Sequence, residues 1–371
     1  MTTHDPARDA APEAEPLAAV RSRIDALDLK LRELLKFRAC LAQAVCHIKN
    51  TAGHEGSFYR PAREAHVLRA VLAANPGQLG EAALLRDCRE GIAACLALEK
   101  NLTVAYLGPA GTYTEAAVRK HFGQGVATTP LGAVDEVFRE VEAGSADCGV
   151  VAVENSTEGV VTHTLDMFAR SDLKICAEII LPVHHCLLGR VARLDEITEL
   201  LGHAQALAQC REWLDRHLPG VLRRAVASNA EGARQAANMA GIAAVAGRQV
   251  APLYGLDILA ENIEDEPDNT TRFLVIGREQ AEPSGRDKTS LMVAVNNRPG
   301  ALFGLLEPFH RAGVSLTRIE SRPSRRSPWD YNFFLDLEGH AQDAPVAAAL
   351  ATLADRAVWI KHLGSYPVAI G

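Results

Sequence analysis

In the first hundred residues of this chain, charged side chains occupy helix positions that ought to be apolar, and the chemistry this suits is neutralisation of a small anion. Leu17, Val20, Ile24, Leu27, Leu31, Leu34, Leu35, Leu41, Val45 and Ile48 recur every three or four positions, the spacing of one helical stripe. Arg38 and Lys49 fall inside it, about 20° apart around the axis at about 100° per residue. On a further stripe of Leu85, Cys88, Ile92 and Leu96, Glu99 lands in register. Glu64 joins Val67, Leu68 and Val71, with Arg60 one turn before it. Unpaired charges are costly to bury. The groups either pair with one another, reach water at a frayed end, or line a helical bundle hollowed out for a dianion. Their number in so short a segment favours the last.

The elements that must position these groups are three helices, over 17–50, from Pro61 to about 73, and over about 79–99. The breaks between them are TAGHEGSF and NPGQLG, and Pro61 suits a first-turn position. Arg21 points about 110° from the stripe centre and lies about 42 Å along the axis from Lys49 at 1.5 Å per residue. One copy of the helix cannot bring both to one ligand, but two antiparallel copies can, which predicts an intertwined dimer with two sites. Residues 1–16 carry no periodicity and read as a disordered tail. From Leu102 short apolar runs (LTVAYLG, CGVVAVE, LKICAEIILPV, IAAVAG) alternate with helical stretches at 112–121, 132–143, 203–217 and 229–240, the texture of α/β layers with mainly parallel strands. After a break at EPSGRDK, the order strand, helix, strand, strand, helix, strand predicts a small βαββαβ unit. The expected division is 17–100, 101–280 and 286–371.

Composition bounds the partners. At 371 residues with 48% hydrophobic and 23% charged residues, the chain has ample core for two or three domains. A formal charge of −7 without a basic block argues against nucleic acid. No run of 18 apolar residues exists, and MTTHDPARDA has neither the basic start nor the apolar segment of a signal peptide, so no membrane and a cytoplasmic location are expected. The eight cysteines include no CxxC pair, so neither disulfide nor zinc is assigned. GPAGT lacks the lysine and spacing of a phosphate loop, and ENIEDEPD lacks loop-spaced calcium ligands. No cofactor and no metal are expected. His184 and His185 are adjacent, so in a strand at most one enters any site.

Taken together, RSRIDALDLKLRELLKFR, HIK, YRPAREAHVL and CLALE resemble the all-helical chorismate mutase domain. YLGPAGTYTEAA, VENSTEGVV, LPVHHCLL and NIEDEPDNTTRF are similar to prephenate dehydratase motifs. GALFGLL and ESRPSRRSPWDYNFFLD resemble the amino-acid-binding ACT domain. In this order, over about 350 residues, they resemble the bifunctional chorismate mutase/prephenate dehydratase family of phenylalanine biosynthesis. The fold implied is multidomain: a helical mutase domain, a two-lobed α/β dehydratase domain like periplasmic binding proteins, and an α+β ACT domain.

The resemblance implies that Arg38 and Lys49, with Arg21 of a second copy, hold chorismate's carboxylates, with Lys49 also at the ether oxygen. Arg60, Glu64 and Cys95 are implied as further substrate contacts, Glu64 accepting from the substrate hydroxyl. Glu99 would be protonated and donate to the ether oxygen. Arg60 stands where an acidic residue is common in the family, and Glu99 where Gln is. For prephenate the implied groups are Thr271 as proton donor, Arg272 as anchor of the side-chain carboxylate, Phe273 packed behind them, and Asn155, Ser156 and Gln209 as orienting groups. Ala204 replaces a usual proline in HAQALAQC, a loop that also carries Gln205. Gly300, Ala301, Leu302, Glu320, Ser321, Arg322 and Pro323 are implied as an L-phenylalanine site. A plain packing role for the last unit stays open. So do a dehydratase whose helices only dimerise or sense, and a solute-binding protein.

Overall fold

The computed structural model describes residues 16–51, 59–295, 298–323 and 331–371. The N-terminal tail, the TAGHEGSF turn beyond Thr51, and the part of the ESRPSRRSPWD string after Pro323 lie outside the described residues. The chain forms two units, 1–56 and 57–371. The first holds α1 (Leu17–Thr51), one helix of 35 residues. Its periodicity predicts a buried stripe, but Leu27, Leu34 and Ile48 are 62%, 65% and 63% exposed. The described part of the first unit holds no second apolar surface against which that stripe could close.

The second unit opens with α2 (Pro61–Ala73) and α3 (Glu81–Glu99). Ala62, Ala65 and Leu68 of α2 and Leu85 of α3 are buried. Tyr59, just before α2, packs on Phe122 at 5.1 Å between ring centroids and shares a core with Leu102 and Val104. The change at residue 100 is therefore one of texture, from helices to strands, and not a break in packing.

The first α/β lobe comprises β1 (Thr103–Leu107), α4 (Tyr113–Phe122), β2 (Ala127–Leu131), α5 (Val134–Ala143), β3 (Cys148–Asn155), β4 (Gly159–Val160), α6 (Thr162–Phe168) and β5 (Lys174–Pro182). The chain then crosses to a second lobe. That lobe contains β6 (Cys186–Gly189), β7 (Glu199–Gly202), α7 (Ala204–Gln209), α8 (Arg211–His217), β8 (Leu222–Ala225), α9 (Asn229–Ala236), β9 (Ile242–Ala246), α10 (Val250–Tyr254) and β10 (Asp257–Ala260). It returns as β11 (Thr270–Gly277) to the centre of the first sheet, whose order is β2-β1-β3-β11-β5 with β4 on β3. The second sheet runs β10-β6-β9-β7-β8. Strands were expected to be mainly parallel. The sheets are mixed, because the returning β11 pairs antiparallel with both β3 and β5, and β6 pairs antiparallel with both β9 and β10.

An irregularity in the first sheet matters for chemistry. In β3, Asn155 pairs with Thr271 and Glu154 with Arg272, but the next pair is Ala152 with Phe273, so Val153 is an extra residue. Such a bulge re-aims the side chains beyond it. The last unit, β12 (Asp287–Ala294), α11 (Ala301–Ala312), β13 (Leu316–Pro323), β14 (Tyr331–Glu338), α12 (Ala344–Ala354) and β15 (Trp359–Pro367), has sheet order β13-β14-β12-β15. It shares one core with the first lobe, in which Met292, Phe334, Leu363 and Tyr366 pack with Phe168, Leu274 and Ile276. Gly364 lets β15 lie directly on β5, since a Cβ there would overlap the Ile175 carbonyl oxygen. All eight cysteines are free. Among the described residues no helix is long and apolar enough to cross a membrane.

Candidate functional site

Between the two lobes, where the chain crosses, lies a cleft of about 750 Å³ lined by Thr112, Tyr113, Asn155, His185, Gln209, Asn269 and Thr271 among others. Its polar groups form one connected network whose proton positions follow from the geometry. Asn155 Oδ1 accepts from the backbone N–H of Thr157 (3.1 Å) and Glu158 (3.0 Å), which fixes the amide orientation. Asn155 Nδ2 therefore donates, to Asn269 Oδ1 at 2.8 Å and to Thr271 Oγ1 at 2.9 Å. The Thr271 oxygen being occupied as an acceptor, its own hydrogen is free to donate into the cleft.

The network continues. Asn269 Nδ2 donates to Gln209 Oε1 at 3.2 Å, and His185 Nε2 lies 3.0 Å from that same oxygen. Tyr113 Oη lies 2.9 Å from His185 Nδ1 and donates to the His184 carbonyl at 2.7 Å. Burial holds the His185 pKa below its ordinary value, although its bond to Gln209 works the other way. Of the two adjacent histidines, His185 lines the cleft and His184 pairs with Glu264 at 2.7 Å. Ser156 receives the Thr270 N–H at 2.9 Å and lies 3.4 Å from Asn269 Oδ1. Both Gln205 and Gln209 reach the cleft despite Ala204.

Arg272 is a correction. It does not line the cleft. Neighbouring residues in a strand face opposite sides, so with Thr271 in the cleft, Arg272 points to the rear face of the sheet. There it meets Glu178 (2.6 Å), Asp336 (2.5 Å) and the Tyr366 hydroxyl (3.0 Å). Burial opposes its charge, but Tyr366, Asp336 and Glu178 hold its pKa above the ordinary value. Phe273 returns to the Thr271 side and is buried beneath the cleft residues. Among the described residues, no Lys or Arg lines the cleft. What it offers an anion instead is the first turns of α4, α7 and α9, through Gly111–Thr114, His203–Ala206 and Ser228–Ala230. Thr112 and Ser228 cap α4 and α9, accepting from Glu115 and Glu231 N–H. Sequence reasoning missed these turns, Tyr113 and Asn269. Its available signal was the Thr-x-x-Glu and Ser-x-x-Glu capping pattern at 112–115 and 228–231.

Of the charges in the first hundred residues, Arg21 and Arg38 are exposed on α1 and Lys49 is half-buried there. On the second unit Arg60 is exposed, and Glu64, Cys95 and Glu99 are half-buried. Glu64 faces Arg89 in a cavity of about 430 Å³, walled also by Lys120, His121 and Ile370. Although Glu64 retains some exposed area, the dense protein around it pushes its carboxyl up to about 7, with Arg89 opposing. Arg89 stands one turn after Leu85 on α3, is 8% exposed, and donates to the Ile370 carbonyl. It was not among the charges picked out from the sequence.

In the last unit, Gly300 has φ 79° at the start of α11, with nothing within 4 Å of where a Cβ would stand. The glycine there serves a left-handed turn. Ala301 is half-buried, Leu302 is 44% exposed, and Glu320, Ser321, Arg322 and Pro323 lie on β13. Arg322 pairs with Asp166 of α6 at 3.1 Å. Among the described residues no three His, Cys, Asp or Glu side chains could hold a metal ion.

Residues 20–100 match the family described as chorismate mutase type II, 104–281 that of prephenate dehydratase, and 289–355 the ACT domain. The chain is 51% identical over 362 residues to a bifunctional chorismate mutase/prephenate dehydratase of Pseudomonas aeruginosa, covering 96% of this chain and 99% of that protein. To the one from Neisseria gonorrhoeae it is 47% identical over 359 residues, covering 96% and 98%. A prephenate dehydratase from Arthrobacter aurescens, solved in complex with L-Phe, superposes with a TM-score of 0.67 at 38% identity. It covers 72% of this chain and 90% of its own.

Proposed function

The chain belongs to the bifunctional chorismate mutase/prephenate dehydratase family, and from that premise we propose which of its residues perform each reaction. It rearranges chorismate to prephenate, then removes carbon dioxide and the ring hydroxyl to give phenylpyruvate.

For the second reaction the carrying observation is the fixed Asn155 amide, which leaves the Thr271 hydrogen directed at the cleft. As the C–COO⁻ bond of prephenate breaks, its electron pair enters the ring and the ring hydroxyl departs from the opposite carbon. Thr271 donates to that oxygen as it leaves, and aromatisation drives the step. A threonine hydroxyl is a weak acid, so its work is hydrogen bonding to a developing hydroxide, with Asn155, Asn269, Gln209 and His185 holding the hydrogen-bonded line behind it. The first turns of α4 and α9, one from each lobe, hold the carboxylate that is retained. Uncharged donors suit this chemistry, because a firmly paired cation would stabilise the carboxylate that must depart.

For the first reaction the protein needs no base or nucleophile, since the rearrangement is pericyclic. Arg38 and Lys49 share one face of α1, and Arg21 of a second copy completes the dianion site. Glu99 is the group proposed to meet the ether oxygen. The uncovered stripe of α1 supports a homodimer in which the second copy closes it. L-phenylalanine acts as feedback inhibitor at the turn of Gly300, Ala301 and Leu302 together with Glu320–Pro323, a reading supported by the L-Phe complex of the Arthrobacter relative. The free cysteines fit a reducing cytoplasm.

Purified protein supplied with chorismate alone is expected to yield phenylpyruvate. Turnover of prephenate without turnover of chorismate would leave the helices as a dimerising or sensing module.

A further inference from the structure

The two strands that carry the cleft's donor pair are gripped from behind by the ACT domain, through the residues next to that pair. On β11, Thr271 faces the cleft and Arg272 the rear. On β3, the bulge at Val153 turns Asn155 into the cleft and leaves Glu154 opposite Arg272. Each rear residue meets the last unit. Arg272 reaches Asp336 of β14 and Tyr366 of β15, and Glu154 Oε2 lies 3.2 Å from Arg318 Nε of β13. Asp336 and Tyr366 are both bonded to Ser290 of β12, at 2.5 and 2.7 Å, and Lys288 of β12 meets Glu178 at 2.8 Å. Three cations, Arg272, Lys288 and Arg318, thus meet three anions, Glu154, Glu178 and Asp336, across the domain boundary.

We propose that Arg272 and Glu154 are positioning residues for the dehydratase reaction. They hold Thr271 and Asn155 in register for the ACT domain, which thereby sets the turnover rate. The Thr271–Asn155 bond spans two strands. A shift of β13 or β14 pulls Arg318 and Asp336, and with them the strands, by one residue's leverage each. A ligand that moves the ACT sheet then changes kcat without touching the cleft, which gives the coupling between two sites a physical carrier. Arg suits this junction because its planar fork serves Glu178, Asp336 and Tyr366 at once, which a lysine cannot do.

The inference rests on the reading of Thr271 and Asn155 as the dehydratase groups. The test uses the full chain with prephenate, with and without L-phenylalanine. In Arg272→Lys and Arg318→Met, kcat is expected to fall roughly ten- to a hundred-fold, as for a small misplacement of reacting groups. KM should stay within about twofold. L-phenylalanine should still bind, read by calorimetry, but its maximal inhibition should weaken. The charge-reversed pair Glu154→Arg with Arg318→Glu should recover part of the kcat that either single change loses. A tenfold rise in KM with kcat unchanged in Arg272→Lys would make Arg272 a substrate anchor and overturn the proposal. So would wild-type kcat and inhibition in Arg318→Met. If Arg272→Lys does not fold, Arg318→Met and the charge-reversed pair decide, since Glu154 is 38% exposed and tolerates change. Full activity in Thr271→Val would refute the underlying site reading, a result separable from these.

Discussion

A single hydrogen bond underlies the role proposed for Thr271. Because two backbone N–H groups orient Asn155, its amide nitrogen must donate to Thr271, and the threonine hydrogen is left for the substrate. Thr271→Val keeps the shape, removes the donor and leaves the Asn155 amide without its acceptor. Dehydratase kcat should fall roughly 10²- to 10⁴-fold, the usual worth of a positioned proton donor, while Thr271→Ser retains most of it. Chorismate turnover by the same variants should be unchanged, and phenylpyruvate absorbance reads the difference. Asn155, Ser156, Gln209 and Thr271 were singled out in the sequence through the family resemblance, and of these Asn155, Gln209 and Thr271 line the cleft. Arg272 was legible as a charge but not as to its side. Thr271 and Arg272 are neighbours inside β11, so they face opposite sides of the sheet, and the arginine goes to the rear.

Elements decide where those residues can act. The α1 stripe is long, apolar and open, with Leu27 and Leu34 62% and 65% exposed. Covering one leucine contributes about 1.5–3 kcal/mol, so a second copy lying along the helix would gain many times that. If a second copy covers the stripe as proposed, Leu27→Glu with Leu34→Glu should leave a monomer by light scattering and abolish mutase activity, while prephenate turnover largely persists. A dimeric, mutase-active double variant would show that α1 does not build the shared site. The strand elements carry a subtler device. By strict alternation Asn155 would share the face of Val151 and Val153. The extra residue at Val153 breaks that alternation and brings Asn155 beside Thr271.

In the molecule as a whole, α2 and α3 are built into the dehydratase unit, and the ACT sheet shares its core. The Glu64 carboxyl marks the first of these junctions. Its pKa of about 7 exceeds the ordinary value of 4.5 because of burial. The folded protein therefore holds a proton that the unfolded chain has already released between those two values. Stability falls as pH rises across that window, by up to about 3 kcal/mol at 1.36 kcal/mol per pH unit, and is level above it. The urea midpoint should drop from pH 5 to pH 7 in the wild type and drop less in Glu64→Gln; equal slopes would exonerate Glu64. The sequence by itself determined the three regions, their element order, the charged helix and the polar strings of the cleft. These depend on local periodicity and residue type, which the chain carries wherever it goes. Tertiary structure alone decided that Glu64 meets Arg89, that a bulge turns Asn155 inward, and that Arg272 belongs to the ACT contact. Each of those depends on which surface packs behind a residue, and segments distant in the chain supply that surface.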